Sequence, residues 1–358
     1  MKSFNHLYEK LIDDQNIKAA ILKASKGKRR RRKVQRILSD LDAWVPYYRN
    51  VIINYETRHK KPKVIYEGIN RKRREIIVPS YDEQVMHHAL VNILQPIILE
   101  GIYFHAYGSL PKRGAHGAKK YIERWIRNDP KNCRYFLKMD IKQFFASVPH
   151  DKLYAHIRKY IHDERYLDIL FRVLDSTDKG LPLGFHTSHW LANWYLQGLD
   201  RYVKQTLEAK YYIRYMDDMV IFGSNKRKLH RVREEIEDYL HSLGLEMKGN
   251  WQLCRFRYND KGRDLDFMGF RFFREKTILR KRVMHRMTRR ARRIGRKEKP
   301  TIYDCKQMLS ALGLIKASNV YGMYCREIKP YVTFRKMKKR VSNYDRRMAK
   351  CGTSLKIM

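Results

Sequence analysis

The chain has 358 residues, and 78 Lys and Arg against 37 Asp and Glu give it a formal charge of +41. Hydrophobic residues at 43% and aromatics at 12% exclude a disordered polycation, because that much apolar side chain can be buried. There is no run near the ~20 apolar residues of a membrane span, no secretory signal in residues 1–15 and no Cys-x-x-Cys pair for a disulfide framework or zinc site. A folded, soluble, intracellular protein is expected, with a polyanion as partner, nucleic acid first.

In chain order, residues 1–50 predict amphipathic helices ending near Trp44-Val45-Pro46, and residues 64–79 a hairpin around Asn70. Val85, Ala89, Ile93 and Ile97 mark a helix over 82–99. A Gly- and Lys-rich loop over 108–117 precedes a helix over 118–127, and Tyr135–Met139 is a β run that stops at Asp140. Two further β runs, 211–215 and 219–222, flank Met216-Asp217-Asp218. A helix over 229–243, a β run over 265–273 and a helical remainder complete an α+β layout.

The basic residues are clustered. Lys28-Arg29-Arg30-Arg31-Arg32-Lys33, Lys60-Lys61-Pro62-Lys63 and Arg71-Lys72-Arg73-Arg74 are runs, and fourteen Lys and Arg lie between Arg271 and Lys299. Among these, Arg282, Arg286, Arg289, Arg290, Arg293 and Lys297 recur at helical spacing, leaving Val283, Met287 and Ile294 for packing. Such a face suits a phosphate backbone, and its binding should weaken steeply with salt. Tyr103, Phe104, Trp190 and Trp194 are candidates for base stacking, with core packing the competing reading.

Asp217-Asp218 between two apolar β runs predicts the tip of a hairpin. Asp140 ends another strand. Like charges gathered at strand ends are relieved by a hard cation with oxygen ligands, and paired magnesium ions promote in-line attack on a phosphate.

Tyr215-Met216-Asp217-Asp218 resembles the YxDD box of reverse transcriptases, and neighbouring segments match that family in order. Asp140 to Phe145 is similar to its first carboxylate motif and Gly180 to His189 to its template- and nucleotide-contacting motif. Leu243-Gly244-Leu245 with Lys248 resembles the next motif, and Phe267-Met268-Gly269-Phe270 the primer grip. Upstream, Arg74 to Pro79 and Tyr107 to His116 resemble finger motifs of bacterial and group II intron enzymes. The resemblance implies a right-hand polymerase: an N-terminal basic extension (1–63), fingers (64–135), a palm with an antiparallel sheet (136–273) and a helical thumb (274–358). It implies RNA-directed DNA synthesis from template RNA, primer and dNTPs with two Mg²⁺ ions, Mn²⁺ being a substitute.

The resemblance also assigns roles. Asp140, Asp217 and Asp218, with the Ile141 carbonyl, would hold the metals, and Lys248 would protonate the departing pyrophosphate. Phe145, in competition with Phe144, would exclude a 2′-hydroxyl, and Gly184 would let the backbone approach the nucleotide. Arg74 would hold the triphosphate, as would Lys112 or Arg113 where Leu110 replaces the family's Arg. Arg29 to Arg32 and Arg282, Arg286, Arg289, Arg290 and Arg293 would bind nucleic acid.

Leu183 stands where most relatives carry Gln, and an aliphatic residue there is the signature of diversity-generating retroelements. His189 departs from that signature, which has Gln. That subfamily implies errors at template adenines, a small basic pentameric accessory protein and a bacterial cytoplasmic setting. The same motifs fit a stand-alone antiphage-defence enzyme copying a noncoding RNA. A third reading, an inactive RNA-binding module, has no use for three carboxylates.

Overall fold

The computed structural model describes residues 3–55, 63–67, 72–257 and 261–354. Lys60-Lys61-Pro62, Asn70 and Arg71 lie outside the described residues, as does the side chain of Arg74. The chain forms two compact units, one from residues 1–114 and 137–253, the other from 115–136 and 254–358.

The first unit opens with helices Leu7–Ile12, Asp14–Ala24, Arg32–Ser39 and Leu41–Ile53. The last of these runs through Pro46 instead of ending there. An interior proline costs about 3 kcal/mol, but this helix buries Val45, Tyr48 and Ile52 and stacks Trp44, Tyr47 and Tyr48 edge to face. Tyr48 also donates its hydroxyl to Asp82 at 2.9 Å. Tertiary burial therefore overrides the local breaker.

Strands β1 (Lys63–Glu67) and β2 (Lys72–Ile76) form the expected antiparallel hairpin, with Ile65 opposite Arg74. The long helix Tyr81–Gly101 begins at a capping box, Ser80 with Glu83, and is almost wholly buried along one side. Helices Asp14–Ala24 and His186–Tyr195 pack on it.

The larger sheet contains β3 (Ala106–Tyr107), β4 (Tyr135–Asp140), β5 (Tyr211–Tyr215), β6 (Asp218–Gly223) and β7 (Gln252–Arg255), in the order β3-β5-β6-β4-β7. β5 and β6 are antiparallel, whereas the short β3 runs parallel to β5. The unit boundary falls inside β4 and β7. Buried runs such as Tyr212-Ile213 and Met219-Val220-Ile221 are what a sheet covered by helices requires.

In the second unit, helix Ala115–Asn128 starts three residues earlier than the spacing suggests. The 265–273 run is not one strand. It splits into β8 (Leu265–Phe267) and β9 (Phe270–Phe272), because Met268 and Gly269 both take positive φ, 52° and 86°, and close a two-residue hairpin. β10 (Thr277–Leu279) then pairs with β9, so the remainder is not all helix. Helices Lys281–Gly295, Ile302–Lys316, Tyr321–Glu327 and Phe334–Ser354 follow. No helix among the described residues is long and apolar enough to cross a membrane.

Candidate active site

β5 and β6 are joined by only two residues, Met216 and Asp217, because Tyr215 pairs with Asp218. Asp218 is thus the first strand residue, and not part of the turn as its polarity suggested. Asp217, the second loop residue, lies beside the end of β4, where the Ile141 amide donates to the Asp217 carbonyl at 3.4 Å. Asp140, the last residue of β4, thereby comes next to Asp217.

This proximity has an electrostatic cost. Burial, and then the charge of Asp140, push the Asp217 carboxyl up from its ordinary value to about 6. Asp140 Oδ1 is buried and accepts no hydrogen bond from a donor among the described residues. Its other oxygen, Oδ2, accepts from Lys248 Nζ at 3.1 Å.

Lys248 is delivered by a helix end. Helix Lys226–Ser242 stops at Gly244, whose φ of 73° allows the Leu245 amide to reach back to the Leu240 carbonyl at 2.9 Å. Met247 then bridges Ile141, and the Lys248 amide donates to the Asp140 carbonyl at 2.8 Å. Lys142 and Glu246 close the same ladder through an ion pair at 2.7 Å.

Among the described residues, no three His, Cys, Asp or Glu side chains are gathered closely enough to enclose an ion by themselves. Magnesium does not require such a cage, since it usually keeps waters and takes one or two carboxylates plus substrate phosphates. A partnerless buried oxygen next to a second, crowded carboxylate fits that donor set.

Phe144 and Phe145 divide their roles. Phe144 is core, while Phe145 is half-buried with its ring 5.4 Å from His189, edge to face. His189 Nδ1 in turn lies 3.3 Å from Ser109 Oγ. Leu183 is half-buried and Gly184 exposed at the rim of a cavity of about 380 Å³, with Ile76, Pro79, His88 and His186 on its walls.

Gly184 has φ 110°, and a Cβ there would lie 2.1 Å from the Ile77 carbonyl oxygen. The glycine seats this turn on the exit of β2, where the Ile77 amide bonds the Leu183 carbonyl at 2.9 Å. Lys112 is exposed, with φ 59°. Arg113 is engaged by the Tyr103 carbonyl at 2.8 Å.

The other candidates lie elsewhere. Arg29, Arg30, Arg31 and Arg32 are exposed where helix Asp14–Ala24 gives way to helix Arg32–Ser39. In the second unit, helix Lys281–Gly295 buries Met287, Ala291 and Ile294 and exposes Arg286, Arg289 and Arg293, with Arg282 and Arg290 half-buried. Phe267 is buried there, and Met268 and Gly269 form the β8–β9 turn. Trp190 and Trp194 are core, whereas Phe104 is 58% exposed.

Sequence reasoning missed the support beneath the turn. Arg214, Asp200 and Asn193 are buried, and Arg214 donates to the Met216 carbonyl at 3.0 Å. The only signal available was an arginine inside an otherwise apolar β run.

A family model described as reverse transcriptase (RNA-dependent DNA polymerase) matches residues 59–272, more than half of the chain. Protein YkfC of Escherichia coli is 22% identical over 251 residues, covering 58% of this chain and 65% of that protein. The group II intron-encoded protein LtrA of Lactococcus lactis is 28% identical over 146 residues, 38% of this chain and 24% of that protein. Thus the chain spans less than two thirds of the length of these relatives. The solved structure of apo telomerase from Candida tropicalis shares the fold, with a TM-score of 0.51 at 12% identity, covering 82% of this chain and 63% of that one. A family match of this extent, over a right-hand fold with an antiparallel β5–β6 hairpin, identifies the chain as a member of the reverse transcriptase (RNA-dependent DNA polymerase) family.

Proposed function

We propose that this protein is an RNA-directed DNA polymerase whose active centre is Asp140, Asp217 and Asp218, with fingers over 64–135, palm over 136–273 and thumb over 274–358. The observation that carries the reading is the crowding of two carboxylates at adjoining strand ends, one with a buried oxygen that has no donor among the described residues. Such an arrangement is costly for the fold and useful to a cation-dependent reaction. A divalent ion, Mg²⁺ or in its place Mn²⁺, would supply charge neutralisation at the reacting phosphate.

The primer 3′-hydroxyl loses its proton to solvent and attacks the α-phosphorus of a dNTP; the new phosphodiester forms as the bond to pyrophosphate breaks. Lys248, now on Asp140 Oδ2, gives up a proton to the departing pyrophosphate. Phe145 closes the floor beneath the sugar and excludes a 2′-hydroxyl. Arg74, Lys112 and Arg113 hold the triphosphate, while the exposed arginines of 29–32 and of helix Lys281–Gly295 hold nucleic acid backbone.

Leu183 favours the diversity-generating subclass. Replacing an amide with an aliphatic side chain removes a hydrogen bond near the nascent base pair, so we infer synthesis that is error-prone at template adenines. A small basic pentameric accessory protein and a bacterial cytoplasmic setting belong to the same proposal.

The test is primer extension on an RNA template with dNTPs and Mg²⁺, with products sequenced. Synthesis should vanish in Asp217→Asn/Asp218→Asn while RNA affinity persists. Misincorporation opposite adenine should fall in Leu183→Gln; equal error rates would refute the subclass.

A further inference from the structure

The turn that presents Asp217 is unfavourable by itself. Met216 takes φ 56° at the first position of a two-residue hairpin loop, where the following residue has no positive φ. Hairpins of that kind normally place glycine there, and a side chain costs about 1 kcal/mol or more. Met216 must therefore be held from outside.

It is held at three points. Its amide donates to the Tyr107 carbonyl at 3.0 Å, so the short parallel strand β3 fixes one side. Its side chain packs where a Cβ on Gly108 would otherwise stand, with its sulfur 3.4 Å from Asn193 Nδ2. Its carbonyl accepts from Arg214 Nη1 at 3.0 Å.

Arg214 is itself immobilised. It is fully buried and forks onto Asp200, with Nε to Oδ1 at 2.7 Å and Nη2 to Oδ2 at 2.5 Å. Nη1 also reaches Asn193 Oδ1 at 3.2 Å, and the Tyr212 hydroxyl completes Asp200 at 2.8 Å. Asn193 spans to the Gly108 carbonyl at 3.2 Å.

A buried ion pair is a poor source of stability, because desolvation cancels most of its attraction and an apolar pair often serves as well. Stability alone therefore does not account for an arginine here. What an apolar pair could not supply is a donor on the Met216 carbonyl.

We propose that Arg214, clamped by Asp200 and Asn193, is a positioning residue that sets the Met216-Asp217 turn and with it the placement of the Asp217 carboxylate against Asp140. The inference rests on the polymerase reading for its consequence in catalysis, but the geometric claim is separable from it. A displacement of about 1 Å at a reacting centre lowers a rate by about 10²-fold.

Two variants test it: Asp200→Leu/Arg214→Met, which removes both charges together, and Arg214→Lys, which keeps a charge for Asp200 but cannot fork to the Met216 carbonyl. Each is assayed for thermal unfolding with and without Mg²⁺, for template RNA affinity, and for kcat and KM with dNTPs. Expected results are a retained fold and RNA affinity, loss of the Mg²⁺-dependent rise in melting temperature, and a fall in kcat of about 10²-fold with KM within about threefold. A folded variant that keeps both the Mg²⁺ response and kcat within about threefold of wild type overturns the proposal. Should the double variant not fold, Arg214→Lys decides by the same two readouts. Wild-type protein that responds to Mg²⁺ but makes no DNA, even with the proposed accessory protein added, would sink the polymerase reading, while the variants' Mg²⁺ response would still decide the positioning role.

Discussion

Replacing Asp217 by Asn should stabilise the protein while destroying its chemistry. The Asp217 carboxyl is raised from 3.8 to about 6, chiefly by burial and then by the Asp140 charge. A gap of roughly two pH units, at ~1.4 kcal/mol each, is about 3 kcal/mol. The side chain keeps some solvent access, so about 1–2 kcal/mol is the expected measured gain. The sign follows from linkage: a carboxyl whose native pKa is raised loses its proton first in the unfolded chain, so native stability falls as pH rises from about 4 to 6. Above that window the whole penalty is present, and Asn removes it. Thermal unfolding in EDTA at pH 7.5 should therefore show Asp217→Asn melting roughly 2–8 °C above wild type, and the difference should shrink at pH 5. Adding millimolar Mg²⁺ should raise the wild-type melting temperature and close the gap, because the cation relieves the same repulsion. An Asn variant that melts below wild type at pH 7.5, or a gap unchanged at pH 5, would show that the carboxylates are not in conflict.

Three further outcomes are expected. Gly184→Ala should cost about 2–4 kcal/mol in denaturant unfolding, since φ 110° is strained for alanine and the new methyl meets the Ile77 carbonyl at 2.1 Å; a neutral result would mean that the 183–184 turn swings freely. Phe145→Ala should raise the efficiency of ribonucleotide incorporation by tenfold or more while leaving dNTP use within a few-fold, and Phe144→Ala should instead lower stability by about 3–5 kcal/mol because that ring is core. Arg286 and Arg289 are exposed and make no ion pair among the described residues. Changing both to Gln should reduce the slope of log RNA affinity against log salt by about 1.5–2, and an unchanged slope would remove this helix from the interface.

The fold was readable wherever period and punctuation agreed. Val85, Ala89, Ile93 and Ile97 place the central helix, and the β runs on either side of Met216-Asp217 place the hairpin. Errors arose where two local rules competed. Pro46 is a helix breaker by propensity, but the bond from Tyr48 to Asp82, 34 residues on, lies beyond any local window. Met268-Gly269 sits inside an apolar run, and hydrophobicity alone does not reveal that both residues turn with positive φ. Asp218 is polar and so reads as turn, yet its pairing with Tyr215 makes it a strand residue.

Part of the site was legible for a physical reason: carboxylates at the ends of apolar strands are expensive, so their presence signals use. Its supporting parts are silent in sequence, because their meaning is a contact. Arg214 counts as one more positive charge among 78 Lys and Arg, and only burial against Asp200 separates it from the arginines that face solvent. Lys248 likewise gains significance from the ladder that carries it to Asp140. The same reasoning explains why charge is a poor guide to role in this chain. Exposed arginines on a phosphate-binding face are individually replaceable in general, since each neutralises one phosphate among many. A buried arginine with four hydrogen bonds to three fixed partners is not, since every bond it makes determines the placement of another group.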